Sequence, residues 1–556
     1  MTRSRITKTL IALSATAAFV GGCGSDDGDD TAGTADKAAI QKGGTLTGYY
    51  SEAPDSLDPA LASLVNAQTA IFAAYTPLLT YKRASGPEGA TLEPGLAEAL
   101  PTISSDGLTY ELTLRDGLQF SDGSPVEASD FEYTVKRLIN LQSFGVGYYL
   151  GIDGAQKYAD DGKEAGDISG IEADDATRKI TIKLAEPDAQ FSYKLALVYA
   201  GIVPSGTPFK DQTKKPPPGV GPFTIEDVKA GESFSFVKSK TFKALPSVPE
   251  ANADRIDISV VENQRRQAQD VLANKVDFIN DPPPADQLRQ LREEAKGRYK
   301  EFTTNSTYYF VLNVEEKPFD NPEVRKALAT AVDEGALARL FSGLLEPDCN
   351  FLPPGMTGYK KLTCPFGEPT AKPDIAKAKQ MITDAGVAGQ EVTVWSDDGD
   401  PSPQVANYLA DTLNQIGLKA EPKSIDGQTF YESVTDQSTK AQVTVFNWFQ
   451  DYPHPASFFA NVDGNNITKT FNVDIGNVND DALNALIEEG DKQLDVKAAA
   501  PTYEQADKAV VDNAFLVPYG HRKLTVITSD RIAFDNAVFS PVYSLDFASL
   551  GLKAAE

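Results

Sequence analysis

The chain has 556 residues and a formal charge of −27, with 79 Asp and Glu against 52 Lys and Arg. A surface that negative repels phosphate backbones and anionic headgroups, which argues against nucleic-acid partners and against adhesion to anionic lipid. A hydrophobic share of 41% and a charged share of 24% belong to a globular chain with a core. Its length suits two large lobes or three to four domains at ~150 residues each.

The first 23 residues carry the earliest signal. Arg3, Arg5 and Lys8 form a basic n-region, and Leu10 to Val20 form a short apolar run. The run is too short for the ~30 Å hydrocarbon layer, so it reads as a secretory signal rather than a membrane helix. Its ending, Val20-Gly21-Gly22-Cys23, resembles a bacterial lipobox, in which the cysteine thiol is lipidated and becomes the mature N-terminus. The expectation is a signal peptide over 1–22 and a lipid anchor on Cys23 that holds the product at the extracytoplasmic face of the cell membrane. Loss of the three basic residues takes the charge from −27 to −30. Residues 23–42 follow as lipidated Cys and flexible tether. The stretch from Gly24 has five aspartates and no aromatic residue, so it buries too little to fold and spans very roughly 25 Å as a coil.

The folded part is expected to start at Gly43-Gly44-Thr45-Leu46-Thr47. Strands are expected over 108–114, 178–184, 256–262 and 308–313, each apolar or alternating and bounded by turn residues. Asn321-Pro322 opens a helix that runs through VRKALATAVDEGALARLF. Asp374 caps IAKAKQMITDA, with Gly386 past its end, and 405–416 has apolar spacing of three and four and stops at Gly417. The last two helices alternate with strand-like pieces at 391–396 and 441–449. That order is a crossover pattern and predicts an α/β fold with a partly parallel sheet. No period of 20–50 residues recurs, which excludes a solenoid or propeller.

Beyond Cys23 the cysteines are Cys349 and Cys364, flanking a Pro/Gly-rich loop. An even pair outside the cytoplasm reads as a disulfide, contributing roughly 3 kcal/mol by loop closure. The alternative, a two-thiolate metal site, needs further ligands, and no histidine stands near either cysteine.

Catalytic constellations are thin. The two histidines, His454 and His521, are far apart, and there is no Gly-x-Ser-x-Gly elbow, Walker A loop or His-Glu-x-x-His helix. The segment Gly145 to Gly151 has the wrong spacing for a dinucleotide loop and reads as a flexible aromatic loop. Pairs such as Asp397-Asp398 and Asp480-Asp481 follow from an acidic composition and read as solvated turns or helix starts. No enzyme activity, cofactor or metal is expected.

Binding signals are stronger. Asn447-Trp448-Phe449-Gln450-Asp451 places aromatics and a carboxylate where a strand-like run breaks into a Pro-rich loop. Such apolar walls with few polar groups suit a small-molecule pocket, and a carboxylate beside a Trp face suits an ammonium group. The competing reading is a buried Trp whose neighbouring Asp caps the loop. Tyr49 and Tyr50, before Ser51-Glu52, form a second aromatic–acid pair at a strand end, where ligands of α/β sheets gather. His454 alone reads as a turn residue rather than a metal ligand.

With those segments in view, the chain from about Gly43 to its end resembles the bacterial extracellular solute-binding proteins of the dipeptide/oligopeptide ABC-transporter class, family 5. The resemblance rests on GGTLTGYYSEAPDSLDPA near the start, LEPGLAEAL at 92–100 and the block SSDGLTYELTLRDGLQFSDGSPVEASDFEYTVKR at 104–137. GVGPF, NKVDF, YYFVLNVEEKPFDNPEVRKALATAVD, LPPGMTGY and WFQDYPHPASFF follow in order. It implies a two-lobe periplasmic-binding-protein-like fold with an extra subdomain in the first lobe and a hinge between lobes. The implied boundaries are 43–75, 201–305 and 521–556 for lobe I, 76–200 for the inserted subdomain and 306–520 for lobe II.

In peptide-binding members an aspartate three residues after a tryptophan pairs with the peptide ammonium, so the resemblance gives Asp451 that role and makes Trp448 a wall. Backbone groups of Asn447 to Phe449 would pair with the ligand main chain as an added strand does. Tyr50, Glu52, Asn313 and Tyr519 are placed at the site by nearness to the lobe junction. The implied function is a lipid-anchored, monomeric receptor that captures a peptide or peptide-like solute for an ABC permease in the membrane. The alternatives are a peptide-sensing lipoprotein without import, the same fold carrying a sugar, opine or metal chelate, and a secreted hydrolase.

Overall fold

A computed structural model describes residues 38–161, 166–470 and 472–555. The signal segment, Cys23 and most of the expected tether lie outside the described residues. The last five tether residues do not: Ile40–Gln41 pairs antiparallel with Leu552–Lys553, and Ala38 accepts a hydrogen bond from Asn536 Nδ2 at 2.6 Å. Ile40 packs over Gly551, so an apolar side chain at the end of a polar stretch fixes the start of the fold at Ala38 rather than Gly43. No helix among the described residues is long and apolar enough to cross a membrane.

The architecture is α/β, built on a twelve-stranded sheet. From one edge the order is Lys419–Ile425, Glu391–Asp397, Val443–Phe449, Ser306–Leu312, Leu516–Thr528, Phe278–Ile279, Thr45–Tyr50, Arg255–Val260, Ser233–Lys238 and Phe223–Lys229. Thr45–Tyr50 is parallel to both of its neighbours, and Glu391–Asp397 is parallel to Lys419–Ile425 and Val443–Phe449. The crossover expectation for 375–449 therefore holds. Lys419–Ile425 was not anticipated, because KAEPKSI lacks apolar alternation; it is the exposed edge strand, where Pro422 is tolerated.

Ser306–Leu312 is buried along its whole length. Its side chains alternate between two cores: Tyr308, Phe310 and Leu312 enter one, Tyr309 and Val311 the other. That double covering explains the unbroken apolar run STYYFVL. Leu516–Thr528 pairs with Ser306–Leu312 over its first half and with Tyr299–Thr303 and Phe278–Ile279 over its second, so one strand belongs to both halves of the sheet. A separate four-stranded antiparallel sheet lies within 102–183.

Helix punctuation is largely as the sequence indicates. Asn321 caps Pro322–Ala331, Asp374 caps Ile375–Asp384, and Gly417 ends Ser402–Ile416 in the left-handed region at φ 109°. The helix expected to continue through VDEGALARLF is instead two. Val332 is extended, and Asp333 caps a new helix, Glu334–Leu340, by accepting from Ala336 N at 2.6 Å. An internal Asp supplies an N-cap and so a restart. Cys349 and Cys364 are joined as a disulfide.

Candidate functional site

Val443–Phe449 is buried over its first four residues and opens over Asn447, Trp448 and Phe449. On one side it pairs with Ser306–Leu312 through to Phe449. On the other it meets Glu391–Asp397 at Val443 and Thr444 only. Past Thr444 its second edge has no strand neighbour among the described residues, which leaves a row of main-chain groups available to an extended ligand.

Beyond the strand, the chain turns through Gln450–Pro455 into the short helix Ala456–Phe459. Ser457 holds the turn: its Oγ accepts from Asp451 N at 2.8 Å and donates to Asp451 Oδ2 at 3.3 Å. Burial pushes the Asp451 carboxyl up to about 6, against the opposing pull of the Ser457 and Tyr148 hydroxyls. No Lys, Arg or His nitrogen among the described residues lies within 4.0 Å of it. Tyr148, Tyr199, Tyr431 and Tyr452 all feel its charge; burial, then Asp451 among other neighbours, raises their phenols. A mostly buried carboxylate among phenols, with no cation beside it among the described residues, carries a charge that a cationic group would offset.

Alternation along the strand divides its motif between two faces. Phe446 and Trp448 share one, their rings stacked at 6.4 Å, and Tyr431 stacks on Phe446 at 6.4 Å. The Trp448 indole Nε1 is buried and makes no hydrogen bond. Phe449 stands edge-on to Tyr308 at 6.4 Å on the other face. Asn447 lines a cavity with Tyr308 and Tyr519, so Tyr519 is brought near the motif.

Contacts from the 76–200 segment close over the turn. Tyr452 donates to Gln190 Oε1 at 2.5 Å, and Tyr193 stands edge-on to His454 at 5.3 Å. His454 is buried, its Nδ1 accepts from Ala456 N at 3.2 Å, and burial lowers it to about 3. It is a neutral turn residue, as the sequence indicates.

The remaining expected positions are not joined to Asp451 by any hydrogen bond or ring contact among the described residues. Tyr50 has no exposed surface and packs edge-on to Phe234 at 5.7 Å. Glu52 is exposed, its carboxyl raised by burial and by Asp281 and Asp55. Asn313 follows Leu312, whose partner is Val443, so it sits at the opposite end of the strand pair from Asp451. There its side chain accepts from Glu315 N and Asn477 Nδ2. Sequence reasoning missed Tyr148, Tyr199, Tyr431 and Ser457. Tyr148 ends a 3-10 turn, Phe144–Tyr148, where the sequence predicts a flexible aromatic loop.

Asp348, Cys349 and Cys364 cluster with metal-like spacing, but both sulfurs are spent in the disulfide, so the donor set does not suit an ion. Asp480 caps Asp481–Asp491, and Asp397 and Asp398 accept from Gly399 N and Gly427 N. Asp480-Asp481 is therefore a helix start, as expected, whereas Asp397 ends the strand Glu391–Asp397 and only Asp398 lies in the bend after it.

The family model described as bacterial extracellular solute-binding proteins, family 5 Middle, matches residues 91–470. The dipeptide-binding protein DppE of Bacillus subtilis is 25% identical over 448 residues, covering 77% of this chain and 78% of its own. Heme-binding protein A of Haemophilus influenzae is 25% identical over 540 residues, 92% of this chain and 94% of its own. The glutathione-binding protein GsiB of Salmonella typhi is 30% identical over 334 residues, 58% of this chain and 60% of its own. Among solved structures, clavulanic acid biosynthesis oligopeptide binding protein 2 superposes with a TM-score of 0.85 at 22% identity, over 93% of this chain and 97% of that one. These likenesses agree with the two-lobe α/β architecture, and the chain belongs to the bacterial extracellular solute-binding proteins of family 5.

Proposed function

We propose that this protein is the extracytoplasmic receptor of an ABC importer, held to the membrane by a lipid on Cys23, and that it captures peptides or peptide-like solutes. The observation that carries the reading is Asp451, a mostly buried carboxylate with no cation near it among the described residues, beside a strand edge at Asn447 to Phe449 that pairs with no strand among them. An ammonium supplies the missing charge, and an extended main chain supplies the missing ladder. Relatives named for dipeptide and glutathione binding support the same ligand class. Trp448 and Tyr431 wall the ligand, and Tyr148 and Tyr452 cover it.

The halves of the sheet act as the lobes, with 43–75, 201–305 and 521–556 as the first, 76–200 as its inserted subdomain and 306–520 as the second. A ligand that touches both lobes prefers the closed state and shifts the population toward it. Only that state hands its cargo to the permease.

The test is to purify the protein from Gly24 onward under mild conditions and identify what it carries by mass spectrometry. A set of short peptides supports the reading. A sugar, haem or metal chelate keeps the receptor and removes the ammonium role from Asp451.

A further inference from the structure

The two sulfurs of the Cys349–Cys364 disulfide differ in access. Cys349 is 7% exposed, whereas Cys364 is half-buried between exposed Thr363 and Pro365. An incoming thiolate therefore meets the Cys364 sulfur, and the Cys349 sulfur is the one that leaves. The Asp348 carboxylate lies within 4.8 Å of both sulfurs. Burial pushes that carboxyl up, but the facing His521 and the Tyr359 hydroxyl hold it below the usual carboxylate range, so it is ionised at neutral pH. A thiolate leaving from Cys349 forms in a buried place beside a fixed negative charge, and both conditions oppose it. The departing sulfur needs a proton.

Glu334 is placed to give one. A cavity of about 20 Å³ is lined by Glu334, Cys349 and Cys364 together with Val517 and Pro518. Glu334 opens its helix and is 8% exposed, and its carboxyl is raised to about 8, by burial first and then by Asp333. Among the described residues it forms no ion pair, so it keeps its proton at pH 7. A protonated carboxyl beside a breaking sulfur bond is a general acid.

The loop that the disulfide closes reaches the ligand site. Its first arm is fixed independently, since Asp507 accepts from Phe351 N at 2.8 Å and from Leu352 N at 3.0 Å. Further along, Gly355 packs so closely that a Cβ there would stand 2.0 Å from Asn305 Oδ1. Asn305 Nδ2 donates to Gln450 Oε1 at 2.8 Å, and Gln450 Nε2 donates to the Pro541 carbonyl at 3.0 Å. Gln450 directly precedes Asp451, so movement of the loop is felt at the turn that carries the carboxylate.

We propose that Cys349–Cys364 is a redox-active disulfide, opened by a dithiol with Glu334 as proton donor, and that opening it loosens ligand capture at Asp451. One thiolate of the dithiol attacks Cys364 Sγ, and the bond to Cys349 breaks. Its electron pair goes to Cys349 Sγ, which takes the Glu334 proton. The second thiolate attacks the reagent-side sulfur of the mixed disulfide, and Cys364 leaves and is protonated from water. The protein gains two thiols, the dithiol becomes a disulfide, and Glu334 recovers its proton from water. The capture half of the proposal rests on the peptide reading of Asp451, and the redox half does not.

The experiment uses the protein from Gly24 onward, whose only cysteines are Cys349 and Cys364. Dithiothreitol is added without denaturant, thiols are alkylated at intervals, and the reduced fraction is read by mass spectrometry. At pH 7 the native disulfide is expected to open about tenfold faster than that of Glu334→Gln. The gap should close above about pH 9, as the Glu334 proton is lost, a profile that a merely structural role does not give. Calorimetry should show tetra-alanine bound several-fold more weakly by reduced native protein than by oxidised protein. The pair Cys349→Ala with Cys364→Ala should match the reduced form, which itself serves if that variant does not fold. Equal opening rates for native protein and Glu334→Gln overturn the proton donor, and a native disulfide that dithiothreitol leaves intact overturns the redox site. Equal affinity of oxidised and reduced protein overturns the link to capture. If no form binds tetra-alanine, the peptide reading falls, and the opening rates still decide the disulfide.

Discussion

Tyr452 donates its hydroxyl to Gln190 Oε1 at 2.5 Å, joining segments 262 positions apart beside the Asp451 carboxylate. The same ring stands edge-on to Tyr148 at 6.1 Å. Tyr452→Phe keeps those ring contacts and removes one hydrogen bond of about 1 kcal/mol, or roughly fivefold in an equilibrium constant. Stopped-flow with tetra-alanine should show dissociation several-fold faster and association little changed, since such edits act mainly on the off-rate. An unaltered dissociation rate would separate this contact from ligand retention.

The Asp451 carboxyl, raised to about 6 by burial, sets the sign of a pH dependence. A raised carboxyl holds its proton more tightly folded than unfolded. Its burial therefore penalises the ligand-free protein above about pH 6, and the penalty fades as pH falls. An ammonium ligand needs the ionised form. Affinity for tetra-alanine should be highest near pH 7, ease off toward pH 8 as the peptide's own α-ammonium (about 7.7–8.0) loses its proton, and fall below 6, approaching about tenfold per pH unit. Asp451→Asn should bind weakly at every pH without that inflection. Asp491 and Asp507 are also raised to about 6, so affinity rather than melting temperature is the measurement. A native profile that matches Asp451→Asn would remove the ammonium role.

Fluorescence isolates the aromatic wall. The chain has two tryptophans, Trp395 and Trp448. Trp395 is covered by Lys423, whose Nζ stands 3.6 Å over the ring, while Trp448, proposed above as a wall of the ligand site, stacks on Phe446 and has an unused indole N–H. Ligand should shift the emission of native protein and of Trp395→Phe, and leave Trp448→Phe almost silent. A full response in Trp448→Phe would place the ligand elsewhere.

The motif around Asp451 was legible because its chemistry is local: a strand, a break and a carboxylate within a few residues. Helix ends were legible for the same reason, since Asp374 and Gly417 act on their own neighbours. What covers Asp451 was not. Tyr148 and Tyr199 reach it from the 76–200 segment, and only the tertiary fold brings that segment to the turn. The place of Tyr519 in the cavity with Asn447 was hidden by a one-residue bulge, since Tyr308 pairs with Gly520 and Tyr309 with Pro518, which no hydrophobic period reveals. Asn313, placed by nearness to a junction in sequence, sits at the opposite end of the strand pair from Asp451, because the sequence does not show the strand's direction.

Asp58 and Arg137 fix the base on which the covering segment stands. Arg137 Nη1 and Nη2 donate to Asp58 Oδ1 and Oδ2 at 2.6 and 2.5 Å, and neither side chain is more than 1% exposed. Asp58 also accepts from Ala60 N and Gln212 N, and Arg137 donates to the carbonyls of Pro208 and Lys210. The pair thus ties 58–60, the helix Ser129–Asn140 and 208–212 into one network. Arg137→Met leaves a buried carboxylate without its cation and should cost about 3–5 kcal/mol of unfolding free energy by urea titration. Combining it with Asp58→Leu removes the stranded charge and should restore a large part of that loss. Because Asp451 lies outside this network, the double variant should bind tetra-alanine like the native protein. A double variant as unstable as Arg137→Met would mean that the backbone bonds made by the pair, rather than its charges, hold the segment in place.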